Sequence, residues 1–213
     1  QAEFARKDTA GGGDLLEAAK LCKPTILLGL SAVGGLFKEE LIRQIASTTE
    51  RPIIFPLSNP LTKAECSFQQ AYEWTDGKVV FASGSPFEPI EVDGKKLTPS
   101  QCNNMFIFPG LGHGATIGGL KKITDKCLYD ISLALAECLT DEERAAGQVF
   151  PKVSRIREVS DHIALATIKS AQLEELTTKI NFTEDPTDLL KRKTYQPAYV
   201  PLARDPYRSG PSR

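Results

Sequence analysis

Four short polar segments hold the side chains best suited to chemistry. Three of them each follow a compact apolar run: Ser31-Ala32-Val33-Gly34-Gly35, Ser58-Asn59-Pro60 and Ser83-Gly84-Ser85-Pro86-Phe87. The fourth is the amide pair Asn103-Asn104, ahead of Met105-Phe106-Ile107-Phe108-Pro109-Gly110. A carboxamide offers N–H donors and a carbonyl acceptor without net charge. It therefore suits a site that grips a carboxylate or another amide. The competing reading is local: Asn-Pro is a common turn dipeptide, and adjacent Asn residues often bond their own backbone. Chemistry alone leaves both readings open for Asn59, Asn103 and Asn104.

The remaining candidates carry less. Ser31 to Gly35 is not the Gly-x-Gly-x-x-Gly pattern, and no such pattern follows a strand earlier in the chain. Gly110-Leu111-Gly112-His113-Gly114 opens a predicted helix, where glycines permit close approach of a ligand or of a neighbouring helix. Neither His113 nor His162 has a second ligand at metal spacing. Lys63 and Glu65 are read as the solvated first turn of a helix.

The elements that must position these segments alternate regularly. A helix begins after Asp14, with Leu15, Leu16, Ala19 and Leu21 near helical spacing. Apolar runs at 25–30, 52–57 and 78–82 read as buried strands. Residues 38–48 and 63–74 read as the crossover helices between them. Such βαβ units close right-handed into a parallel sheet covered on both faces. Ligands of open α/β sheets bind outside the carboxyl ends of the strands, where the first three polar segments lie. Beyond this come a small hairpin at 90–97 with Asp93-Gly94 as its turn, and a short aromatic stretch at 103–108. A long helix is expected at 115–139, a short helix capped by Thr140, and another long helix at 154–176. Pro197, Pro201, Pro206 and Pro211 make 196–213 an extended tail.

Composition narrows the classes. Of 213 residues, 41% are hydrophobic and 25% charged, the values of an ordinary globular protein. A formal net charge of -1 argues against nucleic acid or an anionic membrane as partner. No apolar run approaches the ~20 residues of a membrane span. The five cysteines, Cys22, Cys66, Cys102, Cys127 and Cys138, are scattered and odd in number. They read as reduced thiols of an intracellular protein, not a disulfide framework or a zinc site. The start shows neither a signal-peptide pattern nor an initiator Met, so the natural N-terminus is expected to lie elsewhere.

Taken in order, the segments resemble the malic enzymes. Arg51-Pro52-Ile53-Ile54-Phe55 leads into Leu57-Ser58-Asn59-Pro60 and Lys63-Ala64-Glu65-Cys66. Phe81-Ala82-Ser83-Gly84-Ser85-Pro86-Phe87, Gln101-Cys102-Asn103-Asn104 and Phe108-Pro109-Gly110 follow. The likeness runs from about Leu15 to about Ala171 and falls on that family's C-terminal part. It implies an α/β fold: residues 1–150 as the second half of a Rossmann-like NAD(P)-binding parallel sheet, then long C-terminal helices and a tail over 151–213. It implies oxidative decarboxylation of L-malate to pyruvate and CO2, with NAD or NADP reduced and Mg²⁺ or Mn²⁺ as the metal. A divalent cation would stabilise the enolate formed when CO2 leaves. Carried over, Asn59 touches malate beside the nicotinamide, and Asn103 or Asn104 reaches malate. Ser31, Ala32, Val33, Gly34 and Ser58 skirt the dinucleotide together with Asn59. A homodimer or homotetramer is implied for the full-length enzyme. Two departures stand out, Cys102 where a Gly is expected and Glu88 where an Asp is expected.

The resemblance assigns no catalytic residue and no metal ligand to this chain. The family's general-acid Tyr, general-base Lys, acidic metal ligands and phosphate loop precede the part it covers. The chain is accordingly expected to act within a larger enzyme and to be inert alone. Two other readings remain: the half-sheet of a different NAD(P)-dependent dehydrogenase, and a non-catalytic α/β interaction module.

Overall fold

Asp14 begins the first helix as its position requires. Its side chain accepts the Glu17 N–H, and the Glu17 carboxylate takes the Asp14 N–H in return. The computed structural model describes residues 7, 13–178, 185–195 and 199. From Asp14 the chain runs α1 (Leu15–Cys22), β1 (Ile26–Gly29), α2 (Glu39–Thr48), β2 (Ile53–Pro56), α3 (Phe68–Trp74) and β3 (Val80–Ser83). The hairpin β4 (Ile90–Val92) and β5 (Lys95–Leu97) follows, then β6 (Ser100–Gln101). The rest of the described chain is helical: α4 (Phe108–Gly118), α5 (Asp125–Glu137), α6 (Asp141–Ala145), α7 (Ile156–Leu173) and α8 (Pro186–Lys193).

The main sheet has the order β1-β2-β3-β6, every neighbouring pair parallel. Ile26 lies opposite Ile53, and Ile53 opposite Val80, so the three expected strands align side by side and end together. Leu41, Ile42 and Ile45 form the buried face of α2, as their spacing predicts. With Ile54, Phe68, Phe81 and Phe37 they make the sheet core. A second core lies among Phe106, Leu111, Cys127, Ile131, Val159 and Ile163 of the helical layer. Phe150 links this second core to strand β2, its ring 6.0 Å from Phe106 and 6.2 Å from Phe55.

Several expectations need correction. Residues 63–74 are not one helix. A single 3-10 turn spans Leu61–Lys63, and α3 starts only after Ser67, which forms a capping box with Gln70. Residues 115–139 are not one helix either. α4 already includes the glycine run and ends at Gly119 in the left-handed region, and Thr124 caps α5 afresh. The strand β6 was not anticipated, because two residues carry no readable period. Nor was α8, which Asp185 caps and Pro186 opens. The sheet is not covered on both faces at β1: Ile26 and Leu28 are about half exposed among the described residues. The hairpin matches its expectation, with Asp93 and Gly94 both at positive φ. The expected tail at 196–213 lies outside the described residues, apart from Tyr199.

The helical layer is pinned by an ion pair. Glu143 is buried, and its carboxylate receives the N–H groups of Thr140 and Lys152 and the Arg155 guanidinium at 2.8 Å. Burial works to raise its pKa. The two backbone donors and Arg155 outweigh that, holding it below the usual carboxylate range.

Candidate functional site

Parallel pairing sets the site. Because β1, β2, β3 and β6 run the same way, their carboxyl ends and the loops that leave them share one edge of the sheet. Two clusters of hydrogen bonds organise that edge.

The first cluster joins the ends of β1 and β2. Glu65 is fully buried, and its Oε1 accepts the Ser31 N–H and hydroxyl, each at 3.2 Å, and the Ser58 hydroxyl at 2.5 Å. The Ser58 oxygen in turn accepts the Ala32 N–H at 2.9 Å. The loop from Ser31 through Gly34 is thereby bound from below while all four residues stay exposed above. The expectation of a solvated Glu65 is overturned. The capping box at Ser67 moves the start of α3 downstream and leaves Glu65 on an inward-facing connector. The spacing of Ser67 and Gln70 in the sequence could have revealed this.

The second cluster joins β2, β3 and β6. Asn59 lies three residues past the end of β2, is exposed, and precedes a cis bond to Pro60. Its Oδ1 accepts the Ser85 hydroxyl. Its amide nitrogen has no hydrogen-bond partner among the described residues. The Gly84 carbonyl accepts Asn103 Nδ2 at 3.3 Å and Gln101 Nε2 at 3.2 Å. Asn103 Oδ1 accepts the Met105 N–H at 3.0 Å, capping a 3-10 turn. The Asn103 amide thus holds the protein at its oxygen and through one of its two N–H donors, whereas Asn104 is exposed and its side chain has no hydrogen-bond partner among the described residues. Ser85 lies in one of the polar segments marked from sequence and Gln101 in one of the matching motifs, but the sequence assigned neither a role.

Cys102 continues the ladder, donating its N–H to the Ser83 carbonyl at 2.9 Å. It is not among the residues with positive φ, so a side chain is tolerated where the resemblance led one to expect Gly. Burial pushes its thiol pKa up.

The other candidates resolve as structure. Gly110 and Gly114 let α4 press against α7. An added Cβ would come within 2.5 Å of the Ser160 carbonyl at one and 2.6 Å of the Ala164 carbonyl at the other. His162 lies half exposed on α7, 3.9 Å from Glu137. A roomy cavity between α5, α7 and α8, lined by Glu137, Arg155, His162 and Leu190 among others, contains none of the residues of the sheet edge. Among the described residues no group of three His, Cys, Asp or Glu side chains could hold a metal ion. None of the described helices is long and apolar enough to cross a membrane.

Known proteins share this sequence and fold. The family model described as "Malic enzyme, NAD binding domain" matches residues 1–172. An NADP-dependent malic enzyme of Dictyostelium discoideum is 43% identical over 198 residues, 92% of this chain and 36% of that protein. One of Vitis vinifera is also 43% identical, over 186 residues, 87% of this chain and 32% of that protein. The chain thus spans about a third of the length of these relatives. The crystal structure of Entamoeba histolytica malic enzyme superposes with a TM-score of 0.66 at 25% identity, over 85% of this chain and 34% of that one. A malic enzyme from Pyrococcus horikoshii Ot3 shares the fold, with a TM-score of 0.58 at 20% identity over 79% of this chain and 34% of that one.

Proposed function

Because this chain belongs to the malic enzyme family, we propose that it forms the part of a malic enzyme that receives the nicotinamide dinucleotide and one side of L-malate. The whole reaction is the oxidative decarboxylation of malate to pyruvate and CO2. The observation that supports this reading most is the Asn59 carboxamide. It stands exposed at the carboxyl end of a central parallel strand, its oxygen held by Ser85 and its N–H donors free.

The residues of the edge divide the work. The exposed backbone from Ser31 to Gly34, held by Ser58 and Glu65, lines one side of the crevice and suits the dinucleotide. When bound, the dinucleotide supplies the acceptor for the hydride at C2 of malate. Asn59 donates to a malate carboxylate or to the nicotinamide amide, fixing the orientation that brings the C2 hydrogen to face its acceptor. Of the amide pair, Asn104 has its whole carboxamide available to malate, while Asn103 holds the loop through Gly84 and Met105 and keeps one N–H donor. The described residues do not fit a divalent cation, since no three His, Cys, Asp or Glu side chains come together among them.

Turnover is a property of the complete enzyme in this reading. The test is spectrophotometric: the complete enzyme should reduce NAD or NADP in proportion to malate consumed and release pyruvate in equal amount. A complete enzyme that reduces neither dinucleotide with malate removes the proposal.

A further inference from the structure

The residue at this edge with the least obvious purpose is Glu65. It is completely buried, its Oε1 takes three donors, and its Oε2 has no hydrogen-bond partner. Burying a carboxylate with one oxygen unsatisfied is costly, so a pure packing position would favour a neutral residue. The surroundings are fitted to it. Gly29 leaves it room, since a Cβ there would lie 2.4 Å from the Glu65 carboxyl carbon. Its own main chain is fixed, the Glu65 carbonyl accepting the Phe37 N–H at 2.9 Å and the Ala64 carbonyl the Gly35 N–H at 3.0 Å.

What the carboxylate holds is specific. The Ser58 hydroxyl donates its hydrogen bond to Glu65, which leaves its oxygen lone pairs to accept the Ala32 N–H. Ala32 adopts a left-handed φ of 56°, a conformation that an L-residue holds only when its surroundings impose it. Ser31 is gripped by both its N–H and its hydroxyl. One carboxylate oxygen therefore sets the loop after β1 against the loop that carries Asn59.

We infer that Glu65 is a positioning residue of the cofactor crevice, pre-setting the 31–35 loop through Ser31 and Ser58 so that the dinucleotide meets an ordered backbone. The inference rests on the reading that this crevice takes the dinucleotide. It acts on binding more than on the chemical step, because the loop must otherwise be ordered when the ligand arrives.

The test uses the complete enzyme with Glu65→Ala, Glu65→Gln and Ser58→Ala. Glu65→Ala should raise the dinucleotide KM about tenfold, as for the loss of a charge-assisted hydrogen bond, and change kcat much less. Glu65→Gln keeps an acceptor at the Oε1 position and should restore most of that loss. Amide exchange at Ser31 and Ala32 should quicken in Glu65→Ala and recover in Glu65→Gln. A Glu65→Ala enzyme with a lowered Tm but a wild-type dinucleotide KM would overturn the inference. Should Glu65→Ala not fold, Ser58→Ala carries the test. It should show the same rise in KM, and a wild-type value there overturns the inference. If the wild-type enzyme reduces no dinucleotide with malate, the functional reading falls and amide exchange alone judges Glu65. Unchanged exchange at Ser31 and Ala32 would then refute it.

Discussion

Replacing Asn59 by Ala separates a ligand contact from a turn residue, because the structure assigns the two roles very different costs. Asn59 is exposed, and its one internal hydrogen bond is the neutral bond from the Ser85 hydroxyl to Oδ1. Water can replace that partner at once, so Asn59→Ala should lower stability by at most about 1 kcal/mol. For a domain of this size that is a fall in Tm of about 2–4 °C. The free amide donors give the other side of the estimate. If they bond a carboxylate in the transition state, their loss should cost roughly 1.5–3 kcal/mol. That corresponds to a fall of about tenfold to a hundredfold in kcat/KM for malate. Steady-state kinetics and a thermal melt on one preparation of the complete enzyme read both numbers. A variant with wild-type kcat/KM and a clearly lowered Tm would return Asn59 to the role of a turn residue and refute the assignment.

Other outcomes follow from the same geometry. Gly114→Ala places a methyl 2.6 Å from the Ala164 carbonyl and 2.8 Å from Thr167 Cβ, so the α4–α7 contact should lose about 1–3 kcal/mol in a denaturant melt. Glu143 has a depressed pKa in the folded state, so its contribution is present above the ordinary carboxylate value of 4.5 and is lost as pH falls through the lower folded value. Glu143→Gln should therefore flatten the acid limb of a stability–pH curve, and an unchanged limb would count against the pairing with Arg155. Cys66 is buried, and burial, with the charge of Glu65 beside it, pushes its thiol to about 12. It should resist alkylation in the native protein at neutral pH while reacting after denaturation, as mass spectrometry would show. The open edge of β1, with Ile26 and Leu28 about half exposed and Leu30 more so, should make this chain by itself associate. A monomer by light scattering at high concentration would contradict that.

The frame of the fold was legible wherever a period or a cap spanned enough residues. Leu41, Ile42 and Ile45 announced α2, Asp14 announced α1, and Asp93-Gly94 announced the hairpin. The failures share a physical cause. β6 contributes two residues and owes its place to pairing with Ala82 and Ser83, a tertiary fact with no local signature. The glycines at 110 and 114 left open a ligand or a neighbouring helix, and it is α7 that packs against their absent side chains. The long helix after them was divided because Gly119 takes a left-handed conformation and Thr124 caps a fresh start. At the sheet edge the sequence showed which carboxamides were present but not which were free. Glu65 was misplaced because an acidic residue near a helix start is usually solvated, and only the capping box at Ser67 shows that the helix begins later.

The two amides of the Asn103-Asn104 pair show why residue type alone could not finish the argument. A carboxamide serves a ligand only with the donors that its own backbone has not taken. Asn103 donates one Nδ2 hydrogen to the Gly84 carbonyl and accepts the Met105 N–H at Oδ1. Asn104, one residue on, is exposed, and its carboxamide has no hydrogen-bond partner among the described residues. The Gly84 carbonyl that Asn103 holds belongs to the loop whose next residue, Ser85, orients Asn59. Asn103 is thus linked to Asn59 through one peptide unit. The same logic operates across the crevice, where Ser58 is spent between Glu65 and Ala32 so that the loop above it can stay exposed and ordered. On each side a buried or committed polar group fixes the backbone beneath, and an uncommitted group stands at the opening. Such a division is what a site needs if its donors are to meet a charged substrate already oriented.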